Sequence, residues 1–193
     1  IPIGSGLGSS AAVTVATLAA LFKYHDIPFT KESLAEDAHN VELDVQGMAS
    51  PLDTLVSTYG GLVYLSREKK PILFTNHINS NFVIGYTMKY GNTGKMVKNV
   101  KNLKETYPNI IDPIIADMGY IANEARIAIL KNDEAKIGDL MNINQGLLDS
   151  LGVNTPELSR MIYIARKHGA LGSKITGSGG GGSIIALCPN NSD

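Results

Sequence analysis

Residues 1–21 read IPIGSGLGSSAAVTVATLAAL, in which three glycines (Gly4, Gly6 and Gly8) are followed by Ser9, Ser10 and an apolar, alanine-rich run. Glycine reaches positive φ and lets a ligand approach the backbone, because it has no Cβ. The first turn of a helix has unpaired N–H groups and a partial positive charge, which together attract phosphate. The stretch therefore predicts a phosphate-binding loop at the start of a buried helix, with Ser9 or Ser10 as the helix cap. A capping loop without a ligand is the alternative, and the number of glycines argues against it.

The composition limits the classes of function. The chain has 193 residues, of which 44% are hydrophobic and 18% are charged, as in ordinary globular proteins. A net charge of −1 gives no electrostatic footprint for nucleic acid or for an anionic membrane. The longest apolar run, 11–22, is too short to span a bilayer. A single cysteine, Cys188, excludes an internal disulfide and a cysteine-rich zinc site. We therefore expect a cytoplasmic protein without nucleic-acid or membrane partners.

The pattern of elements predicts two α+β domains. Apolar periodicity predicts helices over 9–22, 31–45, 93–107, 113–130, 134–151 and 156–169, and strands over 62–65, 71–74, 82–88 and 183–188, with a short strand before the glycine run 179–182. We expect the strand 71–74 to pair with 62–65, and the second half to have antiparallel connections. The first helix is apolar on nearly every face, so we expect it to be buried on all sides. Polar residues at 75–81 indicate a boundary, and we expect domains at 1–78 and 79–193. Because the chain begins with Ile1, directly on a ligand-type loop, we expect a fragment of a larger protein.

Glu42 and Asp53 are the carboxylates that a phosphate site could use. Glu42 lies beside the apolar stripe of the second helix (Leu34, Ala38, Val41 and Val45), and Asp53 follows a turn. Phosphoryl transfer needs a phosphate cradle, a metal with oxygen ligands and a group that orients or deprotonates the attacking hydroxyl. Ser10 and Glu42 offer the hard oxygen ligands that Mg²⁺ prefers, and Asp53 can act as the base. The second glycine-rich stretch, GSGGGG at 177–182, has no bulky side chain to prevent a close approach and is expected to complete the pocket.

These motifs together resemble those of the GHMP kinase family. IPIGSGLGSSAA (1–12) resembles the family's second motif, and KITGSGGGGS (174–183) resembles its third. ELDVQGMASPLDTLVSTYGG (42–61), NINQGLLDSLGV (142–153) and the final motif are most similar to mevalonate kinases of the archaeal type. The resemblance covers essentially the whole chain. It implies a two-domain α+β fold, with an N-terminal part like ribosomal protein S5 domain 2 and a ferredoxin-like C-terminal part.

The resemblance also implies roles for residues of this sequence. Asp53 is the implied catalytic base on the substrate's terminal hydroxyl, and Thr93 matches a threonine near the transferred phosphate. Ser10 and Glu42 are the implied Mg²⁺ ligands. The implied ATP-binding residues are Pro2, Gly4, Ser5, Gly6, Leu7, Gly8, Ser9, Ser10, Ala11, Gly179, Gly180 and Gly181. The implied reaction is direct, in-line phosphorylation of mevalonate by ATP in isoprenoid synthesis, and relatives of this kind are often homodimers.

The sequence departs from the family pattern in two ways. Ser178 and Ser183 stand where alanine and cysteine are more usual, and we expect little effect because all these residues are small. The family's first motif, which carries a lysine that supports the base, is absent from these 193 residues. We therefore expect the isolated chain to be inactive.

Three alternatives remain at this point. The chain resembles other kinases of the family, such as phosphomevalonate kinase and homoserine kinase, although homoserine kinases typically lack the base found here as Asp53. A non-catalytic nucleotide-binding relative is the third, although a protein that only binds needs no base. Among the other polar residues, we expect Asn142 and Asn144 to satisfy buried backbone groups, with a role in a pocket as the alternative.

Overall fold

The computed structural model describes residues 1–47, 49–66, 68, 70–75 and 78–190. The elements are α1 (Ser9–Tyr24), α2 (Lys31–Gln46), α3 (Pro51–Tyr59), β1 (Val63–Leu65), β2 (Pro71–Leu73), β3 (Asn81–Tyr86), α4 (Thr93–Thr106), α5 (Pro108–Leu130), α6 (Glu134–Ser150), α7 (Pro156–Lys167), β4 (Gly172–Ile175) and β5 (Ser183–Cys188). The chain divides into two compact bodies. The N-terminal body is Gly8–Thr75, and the C-terminal body is Ile1–Leu7 together with Asn76–Asp193. Within the described residues, no helix is long and apolar enough to cross a membrane.

Three helices form the core of the N-terminal body. α1 packs against α2 and α3, and α2 packs against α3. The core cluster joins Val15 of α1 to Leu34 and Ala38 of α2, all of them buried. A capping box starts α2, in which the side chains of Thr30 and Ser33 each accept a hydrogen bond from the other residue's backbone N–H. β1 and β2 add an antiparallel hairpin, which confirms the pairing expected from the sequence.

Three expectations for this body are wrong. α1 is not buried on all sides: its contacts concentrate on α2 and α3, and Val13 is 67% exposed. In α2, Val45 was expected on the apolar stripe but is 78% exposed, whereas Glu42 is buried. Residues 51–59 form a helix, where only a turn before Asp53 was expected. The reason is local, because the Ser50 side chain caps this helix and proline, which needs no N–H partner there, occupies its first turn.

A three-stranded antiparallel sheet with the order β3-β5-β4 organises the C-terminal body. α7 packs against β4 and β5, where a buried cluster joins Leu158 and Ile162 to Ile175 and Ile184. α6 packs against β4, and α5 packs against α6. The antiparallel strands match the expectation from the sequence. α5 begins at Pro108, five residues earlier than expected, because Pro108 suits the first turn of a helix as well as Pro113 does, and Pro113 lies inside the helix.

α6 lies along the outer edge of β4 and satisfies its backbone. Asn142 accepts a hydrogen bond from the N–H of Ser173 at 3.1 Å and donates one to the C=O of Leu171 at 3.1 Å. Gln145 Oε1 accepts a hydrogen bond from the N–H of Ile175 at 2.8 Å. These groups would otherwise be the unpaired edge of a strand. The expectation that Asn142 satisfies buried backbone groups is therefore confirmed.

Candidate functional site

The first glycine-rich loop packs closely on the second one within the C-terminal body. The N–H of Gly91 donates a hydrogen bond to the C=O of Gly4 at 3.2 Å. A Cβ added to Gly177 would lie 3.0 Å from the Cα of Gly6, and one added to Gly182 would lie 2.9 Å from the C=O oxygen of Ser5. Gly6 also adopts a φ of +74°, which side chains rarely allow. The glycines of both stretches are therefore needed for a backbone-to-backbone approach that larger residues would block.

Thr93 occupies the first turn of α4, beside the second glycine-rich loop. The Asn92 side chain caps this helix by accepting a hydrogen bond from the N–H of Lys95 at 2.9 Å. The hydroxyl of Ser178 donates a hydrogen bond to Thr93 Oγ1 at 3.1 Å. Alanine, which is more usual at this position of the motif, could not make that bond. The loop next to Thr93 continues through Gly179, Gly180 and Gly181.

The start of α1 differs from the expectation. Gly8, with a φ of +65°, is the N-cap residue, and no side chain caps the helix. Ser9 is the first helical residue, so neither Ser9 nor Ser10 fills the capping role expected for them. The hydroxyl of Ser10 instead donates a hydrogen bond of 2.5 Å to Glu42 Oε1. The first N–H groups of α1 therefore have no side-chain partner and keep their partial positive charge.

Glu42 is the centre of a hydrogen-bond network between α1 and α2. Glu42 as a whole residue is only 9% exposed. Oε1 also accepts from the hydroxyl of Thr14 at 3.2 Å, and Oε2 accepts from Gln46 Nε2 at 3.1 Å. Gln46 Nε2 lies 3.2 Å from the Ser10 hydroxyl oxygen as well. Sequence reasoning missed Thr14 and Gln46. Each stands four residues after a predicted ligand, and this spacing places it on the same helix face as that ligand.

Asp53 lies in the first turn of α3, in the same body as Glu42. Its side chain still reaches solvent, but the protein around it removes part of its hydration. This desolvation raises the pKa of Asp53, and the negative charge of Glu42 raises it further. A Cβ added to Gly8 would lie 3.5 Å from the Asp53 carboxyl carbon. The structure thus brings the Asp53 carboxylate, whose pKa is raised, next to Gly8 at the start of α1.

The donors in the N-terminal body suit one kind of metal ion. Within the described part of the chain, no group of three or more His, Cys, Asp or Glu side chains is arranged to hold a metal. Ser10 and Glu42 offer a hydroxyl and a carboxylate in direct contact. Mg²⁺ is commonly bound by one or two such ligands, with waters and substrate phosphates completing its octahedron. The residues present therefore fit an Mg²⁺ ion that binds together with phosphate groups.

Two family models match the two parts of the chain. The model described as the GHMP kinases N terminal domain matches residues 1–61, and the one described as GHMP kinases C terminal matches residues 125–193. The mevalonate kinase of Methanothermobacter thermautotrophicus is 51% identical over 189 residues, which are 98% of this chain and 62% of that protein. The mevalonate kinase of Pyrococcus abyssi is 46% identical over 98% of this chain and 57% of its own length.

A solved structure shows the same fold. The L. major mevalonate kinase in complex with R-mevalonate is 30% identical, with a TM-score of 0.83 over 95% of this chain and 57% of that one. The chain thus spans about three fifths of the length of the curated relatives it matches. The mixed helix-and-sheet fold implied by the sequence motifs is confirmed by these matches. On this evidence, the chain belongs to the GHMP kinase family.

Proposed function

We propose that the protein containing this chain is a mevalonate kinase, which transfers the γ-phosphoryl group of ATP to (R)-mevalonate and forms ADP and 5-phosphomevalonate. The observation that carries this proposal is the cluster of Ser10, Glu42 and Asp53 in one body, in which a carboxylate of raised pKa accompanies a pair of hard oxygen donors. The choice of mevalonate rests on the relatives, because the two described above are both mevalonate kinases.

The glycine-rich loops are proposed to hold the phosphates of ATP. In the first loop, residues 2–11 combine backbone N–H groups with glycines of positive φ, and the start of α1 adds its partial positive charge. In the second, residues 179–181 offer backbone without side chains. Thr93 is proposed to contact the transferred phosphate through its hydroxyl, which Ser178 orients.

Ser10 and Glu42 are the residues that would hold Mg²⁺. When bound, the ion neutralises negative charge on the nucleotide phosphates. Thr14 and Gln46 keep the Glu42 carboxylate in one orientation by hydrogen bonds to its two oxygens. Gln46 also contacts the Ser10 hydroxyl, so one amide restrains both ligands. Such outer partners commonly determine how well the ligands of a metal are oriented.

Asp53 is proposed as the base that removes the proton from the attacking hydroxyl of mevalonate. The hydroxyl oxygen then forms its bond to the γ-phosphorus while the bond from that phosphorus to the β–γ bridging oxygen breaks, and ADP leaves. Partial desolvation makes the Asp53 carboxylate a stronger proton acceptor than a fully hydrated one. The domain limits 1–78 and 79–193, a cytoplasmic location and a homodimer belong to the same proposal.

The test uses protein expressed from the complete reading frame that contains this sequence. ADP release is followed with mevalonate, phosphomevalonate, homoserine and galactose, with and without Mg²⁺. We expect turnover with mevalonate and with none of the other three acceptors, and we expect this turnover to require Mg²⁺. Turnover with another of these substrates would keep the chemistry but replace the proposed substrate. Nucleotide binding without turnover would favour a non-catalytic relative.

Asp53→Asn tests the proposed base, with Asp37→Asn, an exposed carboxylate of α2, as the matched control. Asp53→Asn should lower kcat by a factor of about 10²–10⁴ and leave nucleotide binding intact. It should also raise the melting temperature at neutral pH, because a raised folded-state pKa means that ionised Asp53 destabilises the fold once the pH exceeds that value. An unchanged kcat would exclude Asp53 as the base.

A further inference from the structure

A recess of about 200 Å³ opens in the C-terminal body, at a place that the proposed kinase reaction does not use. Its walls are mostly apolar side chains of α5 and α6, among them Met118, Ile121, Ile137 and Met141. Two polar side chains, Asn144 and Lys174, also line it. An apolar recess with few polar groups is the usual form of a small-molecule site.

Lys174 of β4 brings an uncompensated positive charge to this recess. Its ammonium donates a hydrogen bond to the C=O of Ile175 at 2.8 Å. In the part of the chain that the structure describes, no carboxylate forms an ion pair with it. Burial accordingly lowers the pKa of Lys174. A buried charge is costly unless it is paired, so the site is electrostatically complementary to an anion.

Gln145 of α6 bonds the same residue, Ile175, but does not itself line the recess. Its Oε1 accepts from the N–H of Ile175, and the N–H and C=O of one strand residue point to the same edge of the strand. Lys174 and Gln145 therefore bond the same edge of β4. Gln145 is only 5% exposed, and its Nε2 is buried without a hydrogen-bond partner among the described residues. Gln145 therefore orients the residue that Lys174 bonds, and its own amide does not face the recess.

We propose that this recess binds a small amphipathic monocarboxylate. The carboxylate lies against the Lys174 ammonium, and the alkyl chain lies among the apolar walls. The single positive charge of Lys174 balances one negative charge, which favours a carboxylate over a phosphate group, whose charge is about −1.5 to −2. An apolar cavity of about 150 Å³ accommodates benzene, so this recess suits an unbranched chain of about six carbons. The walls favour a chain without hydroxyl groups, unlike the substrate proposed above.

The test is calorimetric titration of the full-length protein with hexanoate, hexanol and hexylammonium, in the presence of saturating ATP. Hexanoate should bind at least about tenfold more tightly than hexanol, because the charge-assisted hydrogen bond is lost with the alcohol. Hexylammonium should not bind. Equal affinity for hexanoate and hexanol, or no binding of millimolar hexanoate, would overturn the proposal.

Two variants locate the binding. Lys174→Met should weaken hexanoate binding about tenfold or more and leave hexanol unaffected. Lys101→Met, at a lysine whose side chain is 73% exposed on α4, is the matched control and should change neither affinity. Ala122→Leu places a larger side chain on the solvent-facing rim of the recess and should abolish hexanoate binding without touching the charge. If Lys174→Met does not fold, Ala122→Leu decides, and unchanged binding in that variant would refute the site.

Discussion

Gly138 in α6 is a position where the packing of the C-terminal body leaves no room for a side chain. A Cβ added to Gly138 would lie 2.6 Å from the carbonyl carbon and from the oxygen of Leu171. On the opposite side of this contact, a Cβ added to Gly172 would lie 2.2 Å from the C=O oxygen of Gly138. All these atoms are backbone, so no side chain can rotate away. Gly138→Ala must therefore push α6 away from β4.

The size of this effect follows from three contributions. Overpacking of a close contact costs about 3 kcal/mol at the severe end of its range. Moving α6 also weakens the hydrogen bonds that the N–H groups of β4 donate to Asn142 and Gln145, at about 1 kcal/mol each. The higher helix propensity of alanine offsets about 1 kcal/mol of this loss in the free energy of unfolding. We expect the free energy of unfolding to fall by about 2–4 kcal/mol in Gly138→Ala.

Gly146→Ala is the matched control, because Gly146 lies in the same helix and has nothing within 4 Å of an added Cβ. It should gain about 0.5–1 kcal/mol from helix propensity alone. Urea unfolding of the full-length protein, followed by far-ultraviolet circular dichroism, measures both variants. In thermal unfolding, Gly138→Ala should melt about 5–15 °C below the parent protein. A Gly138→Ala variant as stable as Gly146→Ala would refute the packing argument.

Two further predictions concern single side chains. Gln46→Ala removes the amide that donates a hydrogen bond to Glu42, and it should weaken Mn²⁺ binding in the presence of ATP about tenfold. Electron paramagnetic resonance measures this affinity. An unchanged Mn²⁺ affinity would contradict the positioning role of Gln46. Glu134 accepts hydrogen bonds from the hydroxyl and the N–H of Ser80, and the hydroxyl bond lowers the pKa of Glu134. Its contribution to stability is therefore present above the usual glutamate pKa and is lost as the pH falls through the lower folded-state value. Urea unfolding at a series of pH values from neutral to acidic measures the free energy of unfolding. This free energy should fall less steeply with decreasing pH in Glu134→Gln than in the parent protein. Glu36→Gln, at an exposed glutamate of α2, should fall as steeply as the parent.

Local patterns predicted most of the helices and strands. Helical periodicity located α2, α6 and α7 to within a few residues, and the short apolar stretches located the strands. The errors arose where a pattern was read without its neighbours. Val13 and Val45 are apolar and have helical spacing, but among the described residues no element packs closely enough on them to bury them. α3 was missed because its nine residues are too few for a clear periodicity, although Ser50 and proline mark its start.

The sequence by itself determined the family, the two glycine-rich loops and the identity of Ser10, Glu42 and Asp53 as candidates, because these depend on residue types at fixed spacing along the chain. The tertiary structure decided which of their atoms meet. Ser10 and Glu42 are 32 residues apart, and only the packing of α1 on α2 brings their side chains into contact. The basicity of Asp53 and the closeness of Gly138 to Gly172 likewise depend on which groups surround each residue. Such contacts are absent from local periodicity, because folding joins residues that the chain itself keeps far apart.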